Sequence, residues 1–448
     1  MTERLSCFKA YDIRGRVPGE LNEEIAYRVG RALADELGAM TAVVGWDARL
    51  TSPAIADALA GGLQDAGVAV TDIGISGTEM VYFATAKYGF DAGVMVTASH
   101  NPPEYNGMKL VREGSKPISG DSGLWAIEER ARNADFVRTG GGSRTSREVV
   151  GDFAQHMLSV VPPDGLRPLK VLANAGNGCA GLAVRAIAPF LPLAITELNF
   201  EPDGTFPKGV PNPILEENRA ETVEMMRNGG FDFGVAWDGD YDRCFFFDEQ
   251  GNFIEGYYIV GLLAEDTLRN HLGATIIHDP RLTWNTLEIV SKYGGRAVQC
   301  KTGHAFIKER MRQEDAEYGG EMSAHHYFKA HWFCDSGIIP FLQIARLVSQ
   351  SGRSLGDLVS EMQRRYPCSG EVNVSVADAM SALIRVEREF SDGEIDRTDG
   401  LSVEYENWRF NVRASNTEPV IRLNVESRGD AVLVQMMKGR ILELLTDG

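Results

Sequence analysis

Three aspartates spaced two apart, Asp238, Asp240 and Asp242, lie in the otherwise apolar stretch FGVAWDGDYDRCFFF. On an extended backbone, residues two apart look the same way, so the three carboxylates are expected to converge on one side. Left alone they would repel: at an effective dielectric of ~20 and a separation of ~6 Å, each neighbouring pair costs about 3 kcal/mol. A bound hard cation reverses that sign. Oxygen-only donors suit Mg²⁺ or Ca²⁺ rather than Zn²⁺, and Mg²⁺ commonly keeps positions open for a substrate phosphate. The calcium-loop pattern is nearly met, with Glu249 at its twelfth position, but Arg243 stands where the sharp-turn glycine belongs. The flanks, rich in Phe and Val, read as strands rather than as the helices of a calcium hand. A solvated turn after a strand is the other reading of an isolated acidic triplet, so companions elsewhere in the chain must decide.

Four other stretches could supply them. GVMVTASHNPPEYNGMK runs from Gly93 to Lys109 and carries a buried-type strand into Ser99, followed by His100 and two prolines. A hydrolase elbow would read G-x-S-x-G, which this does not, and Pro102 and Pro103 forbid an immediate helix. A phosphoryl group on Ser99 would add about −1.5 to −2 charge and call for a metal partner. NVRASNTEPVIRLNVES places Arg413, Ser415, Asn416, Thr417 and Arg422 around a loop between two strands, a set of donors suited to an oxyanion. EYGGEMSAHHYF offers Glu321 and Ser323, a carboxylate and a hydroxyl suited to sugar hydroxyls, with His325 and His326. KTGHAF adds His304, a structural or proton-carrying histidine. A rival reading rests on Gly176, Gly178 and Gly181, spaced as in a dinucleotide fingerprint with Glu197 downstream; the following EPDGTFPKGVPNP interrupts the continuation that fingerprint needs.

Positioning such residues requires rigid elements. Strand-like runs alternate with helical patterns in TAVVGWD, PAIADALAGGLQDAG, VAVTDIG and DAGVMVTAS, again from LKVLANA, and a third time from GATIIHDP. That rhythm predicts parallel sheets flanked by helices, with active loops at the carboxyl ends of strands. A short echo, DARLT at Asp47–Thr51 and DPRLT at Asp279–Thr283, suggests duplication. After Tyr366 alternating strands and a closing helix predict a smaller α+β module. The chain of 448 residues has room for three or four domains, and its net charge of −18 argues against general binding to nucleic acid or to an anionic membrane. No apolar run is long enough to span a bilayer, no signal peptide is evident, and six scattered cysteines suggest neither zinc nor a disulfide framework, so a cytoplasmic protein is expected.

Taken together, TASHNP, DGDYDR, GEMSAHH and RASNTEP, in that order, resemble the motifs of the α-D-phosphohexomutases, and the resemblance starts at KAYDIRG and covers almost the whole chain. It looks closest to the bacterial phosphomannomutase branch that feeds GDP-mannose synthesis. The resemblance implies an α/β protein: three related α/β domains with mixed or parallel sheets, at 1–143, 144–248 and 249–366, and a smaller α+β domain of TATA-binding-protein-like fold at 367–448, around a central cleft. By motif match Ser99 resembles the serine that gives its phosphoryl group to the sugar, and Asp238, Asp240 and Asp242 resemble the Mg²⁺ ligands, with the serine phosphate as a fourth. Arg243 would lie beside the transferring group. Glu321 and Ser323 would read sugar hydroxyls, and Arg413, Ser415, Asn416 and Thr417, with Arg422, would hold the phosphate that does not react. Tyr11, Arg14, His100, Lys109, His304 and His325 match further positions around the substrate, with Arg14, Lys109, His304 and His325 as proton carriers left unranked. Two departures are an alanine before the serine and Tyr241 in the metal loop; Arg281 receives no role. The implied reaction interconverts mannose 6-phosphate and mannose 1-phosphate through a hexose 1,6-bisphosphate, with glucose phosphates as alternative substrates. A small sugar phosphate is the expected partner, with no nucleic acid, membrane or obligate protein partner.

Overall fold

The computed structural model describes residues 4–376, 378–414 and 420–446. The first part of the chain contains β1 (Ile13–Arg16), α1 (Glu23–Leu37), β2 (Thr41–Trp46), α2 (Ser52–Asp65), β3 (Ala69–Ile75), α3 (Thr78–Tyr88), β4 (Ala92–Val96), β5 (Tyr105–Arg112), β6 (Lys116–Pro117), α4 (Leu124–Asn133) and β7 (Arg144–Ser146). Next come α5 (Val150–Val160), β8 (Lys170–Asn174), α6 (Ala180–Ile187), β9 (Ala194–Leu198), α7 (Ala220–Gly229), β10 (Phe233–Trp237), β11 (Cys244–Phe247) and β12 (Phe253–Ile254). A third run has α8 (Gly256–Asn270), β13 (Thr275–His278), α9 (Trp284–Lys292), β14 (Arg296–Gln299), α10 (His304–Glu314), β15 (Tyr318–Gly320), β16 (His326–Phe328), β17 (Cys334–Asp335), α11 (Ile338–Ser351) and α12 (Leu355–Arg365). The last holds β18 (Val372–Ser375), α13 (Ala379–Glu389), β19 (Glu394–Asp396), β20 (Leu401–Glu404), β21 (Trp408–Ala414), β22 (Val420–Ser427) and α14 (Ala431–Thr446). Contacts divide the chain into two compact units, one of residues 1–253 with 325–352 and the other of 254–324 with 353–448.

In the first unit β2 pairs in parallel with β3 on one side and β4 on the other, and β5 closes antiparallel on β4. The same plan recurs with β8 between β9 and β10 and with β11 antiparallel on β10. In the second unit β13 likewise lies in parallel between β14 and β15. Both β4 and β10 are buried along their whole length, as strands covered on both faces must be, which is why AGVMV and FGVAW read as continuous apolar runs. Helix α1 buries Ala26, Val29, Ala32 and Leu33 along one stripe. Asn22 begins it by accepting the Ile25 N–H, and Gly38, at φ 61°, ends it. Gly30 and Gly62 let α1 and α2 approach backbone to backbone, since a Cβ on Gly62 would lie 2.1 Å from the Tyr27 carbonyl oxygen.

The C-terminal module is a wholly antiparallel sheet in the order β18-β22-β21-β20-β19. Its core of Phe410, Val412, Ile421, Leu423 and Val425 packs against Val386 of α13 and Val434 and Ile441 of α14. The recurring consequence of the parallel plan is a loop at the carboxyl end of one strand beside the central one: after β4 comes Ser99, after β10 the aspartate triplet, and after β15 Glu321 and Ser323.

Candidate active site

Ser99 lies in the first unit, three residues past β4, with φ at 49°. A serine held in this left-handed region stores on the order of 1 kcal/mol, so its surroundings must impose the conformation. They do so from both sides of the residue. Its N–H donates to Thr97 Oγ1 at 2.8 Å, and its carbonyl accepts from the Arg49 guanidinium at 2.9 Å. Gly239 allows the aspartate loop to close over it, because a Cβ there would stand 2.6 Å from the Ser99 carbonyl oxygen.

The three carboxylates converge, but not by strand alternation. Residues 238–243 form a turn between β10 and β11. In that turn the Tyr241 N–H donates to the Asp238 carbonyl at 3.1 Å and Tyr241 takes φ 46°. One oxygen from each of Asp238, Asp240 and Asp242 lies within 4.8 Å of the others, and all three residues are buried. Ser99 Oγ donates to Asp238 Oδ2 at 2.6 Å. Arg243 pairs with that same oxygen at 2.7 Å and stands 3.3 Å from Ser99 Oγ. Lys109, on β5, binds Asp240 at 2.7 Å and also Asp242, and Thr78 Oγ1 donates to Asp240 at 2.5 Å.

Burial penalises every charge here, so pairing decides protonation. Burial alone would raise Asp240, but Lys109 and Thr78 hold it below the usual carboxylate range. Asp242 is pushed well up, by burial and then by Asp240. Burial would lower Lys109, yet Asp240 and Asp242 more than offset it and keep the ammonium protonated. His100 is driven well down by burial and then by Arg243, so it is neutral, and its Nδ1 accepts from Arg243 while lying 3.1 Å from Ser99 Oγ. Arg14 reaches Asn101 Oδ1 and Asp12 Oδ2, both at 2.6 Å. His325 Nε2 is 3.6 Å from Asp242 Oδ1, and the backbones of His325 and Arg243 form a bridge. Tyr11, just before β1, is partly exposed.

The triplet fits a hard divalent cation. Two of its oxygens, Asp240 Oδ1 and Asp242 Oδ1, are buried without accepting a hydrogen bond, and the ligand set is all oxygen. A bound cation would also relieve the mutual repulsion that, with burial, pushes Asp242 up.

The second unit gathers a different group. Glu321 Oε1 accepts the Gly303 N–H at 3.0 Å, at the start of α10 where His304 stands. Arg281 reaches Ser323 Oγ at 3.3 Å and Glu371 at 3.2 Å. Arg413 donates to Thr302 Oγ1 at 3.0 Å, and Glu371 lies 3.7 Å from Arg413 and 3.5 Å from Arg422. Three guanidinium groups thus surround one carboxylate. Glu371 is held below its ordinary range, with burial opposed chiefly by Arg281. Ser415, Asn416 and Thr417 lie outside the described residues.

The candidate residues therefore assemble in two sets. Ser99, His100, Arg14, Lys109, Arg243, His325 and the aspartates belong to the first unit, and His304, Glu321, Ser323, Arg413 and Arg422 to the second. The motif GEMSAHH is divided, with the chain passing from one unit to the other between Ala324 and His325. Sequence reading missed Thr78, Asp47, Arg49, Asp279 and Glu371 and gave Arg281 no role. The available signal was the DARLT and DPRLT echo, whose charged residues prove to be among these. The rival dinucleotide reading loses its acidic residue, because Glu197 forms a half-exposed pair with Arg185 at 2.6 Å.

Comparison with known proteins assigns the family. Models of the phosphoglucomutase/phosphomannomutase family match residues 6–138 as α/β/α domain I, 152–251 as domain II, 255–366 as domain III and 371–444 as the C-terminal domain. The chain belongs to the phosphoglucomutase/phosphomannomutase family. It is 55% identical over 445 residues to the phosphohexose mutases of Xanthomonas campestris pv. campestris, covering 98% of this chain and 99% of the relative. The phosphomannomutase of Salmonella montevideo is also 55% identical, over 98% of this chain and 99% of its own. A crystal structure of a phosphoglucomutase/phosphomannomutase family protein from Burkholderia thailandensis superposes with a TM-score of 0.87 at 32% identity, covering 99% of this chain and 98% of that one. The chain is thus an isomerase of the phosphohexomutase family, with that family's four-domain α/β architecture and smaller C-terminal α+β domain. Among the described residues no helix is long and apolar enough to cross a membrane.

Proposed function

We propose that this chain is a phosphomannomutase that interconverts mannose 6-phosphate and mannose 1-phosphate through phosphorylated Ser99 and a hexose 1,6-bisphosphate, in the cytoplasm, supplying GDP-mannose synthesis. The observation that carries the reading is the Ser99 hydroxyl in a buried cluster, 2.6 Å from one of three aspartates and 3.3 Å from Arg243. The free sugar hydroxyl forms the new P–O bond, the P–Oγ bond to Ser99 breaks, and the hydroxyl proton passes to a base while Oγ recovers one. The reverse sequence with the other phosphate restores the phosphoserine. Asp238, Asp240 and Asp242 would hold Mg²⁺, which when bound supplies charge neutralisation for the phosphoryl oxygens. Arg243 steadies the charge gathering on Ser99 Oγ. Lys109, bound to two carboxylates, serves as a fixed positive charge or an acid rather than a base. Tyr11, Arg14, His100, His304 and His325 are assigned to the surroundings of the sugar, Glu321 and Ser323 to its hydroxyls. Arg413, Ser415, Asn416, Thr417 and Arg422 are assigned to the phosphate that does not react. Arg413 and Arg422, close together on either side of Glu371, support that last assignment, since guanidinium forks match phosphate oxygens. The four-motif domains are assigned the boundaries 1–143, 144–248, 249–366 and 367–448. Six free cysteines suit a reducing compartment.

A second reading, dual action on glucose phosphates, is favoured by the broader name, phosphohexose mutases, carried by the Xanthomonas relative. One assay addresses both. Protein is incubated with mannose 1-phosphate or glucose 1-phosphate, Mg²⁺ and a trace of hexose 1,6-bisphosphate, and the products are identified. Mannose 6-phosphate should accumulate, and Ser99→Ala should abolish it. Release of inorganic phosphate would replace the mutase by a hydrolase, no change would indicate a sensor, and equal kcat/KM on both sugars would establish the dual enzyme.

A further inference from the structure

A serine that must carry a phosphoryl group, give it up and receive another has to return its oxygen to one place each time. Ser99 stands on a loop without ladder hydrogen bonds of its own, between β4 and β5. Two local bonds shape the loop, from the Asn101 N–H to the Ala98 carbonyl and from the Tyr105 N–H to the Pro102 carbonyl. Arg14 Nη1 reaches the Ala98 carbonyl at 3.4 Å and the Val17 N–H the Glu104 carbonyl at 2.8 Å, but four carbonyls are held by one other side chain. Arg49 Nη1 donates to the carbonyls of Pro102 at 2.8 Å and Tyr105 at 2.9 Å, and Nη2 to those of Ser99 at 2.9 Å and Asn101 at 2.6 Å. The residue is 1% exposed. Asp47 orients it, with Oδ2 3.3 Å from Arg49 Nε. That same oxygen accepts from Thr97 Oγ1 at 2.7 Å, and Thr97 Oγ1 in turn accepts the Ser99 N–H.

Resting on the phosphoserine reading above, we infer that Arg49, oriented by Asp47, is the positioning residue for phosphoryl transfer at Ser99. Arg49 holds the left-handed serine by its carbonyl, and Asp47, which orients Arg49, holds its amide through Thr97. Arg49 acts through backbone, since its four hydrogen-bond acceptors are all main-chain carbonyls. A planar fork with directed donors can serve four carbonyls at once, which a lysine ammonium on a flexible stem cannot. Because a displacement of about 1 Å at a reacting atom can cost about a hundredfold in rate, loosening this clamp slows transfer without removing any group that touches substrate.

The test is a single turnover. Wild type, Arg49→Lys and Thr97→Val are charged on Ser99 with hexose 1,6-bisphosphate, the phosphoserine content is measured, and each is mixed rapidly with excess mannose 6-phosphate. The expected result is a transfer rate constant lower by about tenfold or more for Arg49→Lys and about threefold to tenfold for Thr97→Val, with KM little changed. Amplitude per mole of phosphoserine should be retained. Wild-type rate constants in the variants, with only a smaller amplitude or a lower melting temperature, would overturn the inference, because that is what a merely structural role produces. Should Arg49→Lys fail to fold by circular dichroism, Thr97→Val decides alone. Failure of the charged wild type to transfer would instead remove the phosphoserine reading.

Discussion

Arg49 and Arg281 stand at the same point of two copies of one plan, each two residues past an aspartate that follows the central parallel strand, β2 or β13. In both copies the aspartate accepts its arginine's N–H, at 3.0 and 2.9 Å, and reaches across to the loop after the neighbouring strand. Asp47 reaches Thr97, ahead of Ser99, and Asp279 accepts the N–H of Met322, between Glu321 and Ser323. The arginines then diverge. Arg49 spends its donors on neutral carbonyls, whereas Arg281 turns to Asp279 at 2.7 Å, to Glu371 and to Ser323. Electrostatics follow. Burial depresses Arg49 and raises Asp47, while Arg281 overcomes burial and holds Asp279 low, and is itself raised by Asp279 and Glu371. One frame with one pair of residue types therefore yields a backbone clamp beside the loop proposed to carry the phosphoserine, and a charge hub beside the loop proposed to read the sugar.

The comparison predicts an order of effects. Arg281→Met should be the most damaging to stability, by about 3–5 kcal/mol, because it leaves buried carboxylates without their cation. Arg49→Met should cost less, about 1–3 kcal/mol, the penalty of buried carbonyls left unsatisfied. Urea denaturation of the two variants against wild type measures both, and the reverse order would break the contrast between hub and clamp. The smallest effect is in pH dependence, and its sign differs between the copies. Asp279 is held below its unfolded value of about 3.9, so its stabilisation is present above that value and is lost as pH falls through the folded value. Asp47 is raised, so its contribution is present below about 3.9 and is lost as pH rises through its folded value. Relative to wild type, Asp279→Asn should flatten the loss of stability toward acid, and Asp47→Asn should flatten a loss in the opposite direction. Thermal melts between about pH 3 and 6 test this, and slopes of the same sign would refute it.

Much of the site was legible because its chemistry is local in sequence. Carboxylates two apart, a serine at a strand end and donors around a hairpin each announce themselves by type and spacing. The supporting residues do not. Thr78 meets Asp240 from 162 positions away and Arg49 meets Ser99 from 50, and nothing in the spacing of a buried arginine reveals whether it will face carbonyls or carboxylates. The turn at Tyr241 was one of two readings for a related reason: an alternating pattern in an apolar run describes a strand equally well, and only the paired ends of β10 and β11 require the chain to reverse there. The division of GEMSAHH was equally invisible, since His325 follows Ser323 by two residues yet packs with Arg243 and Asp242.

By itself the sequence determined the repeated strand and helix order, through the periodicity of its apolar residues, and the kinds of group available for phosphate and cation chemistry, through side-chain type. Tertiary structure decided which carboxylates keep their charge and which backbone carbonyls take up an arginine. It also decided that Ser99 points at Asp238. These depend on burial and on partners brought from distant positions, and the free energy of a buried charge or hydrogen bond is set by what surrounds it in space, not by its neighbours along the chain.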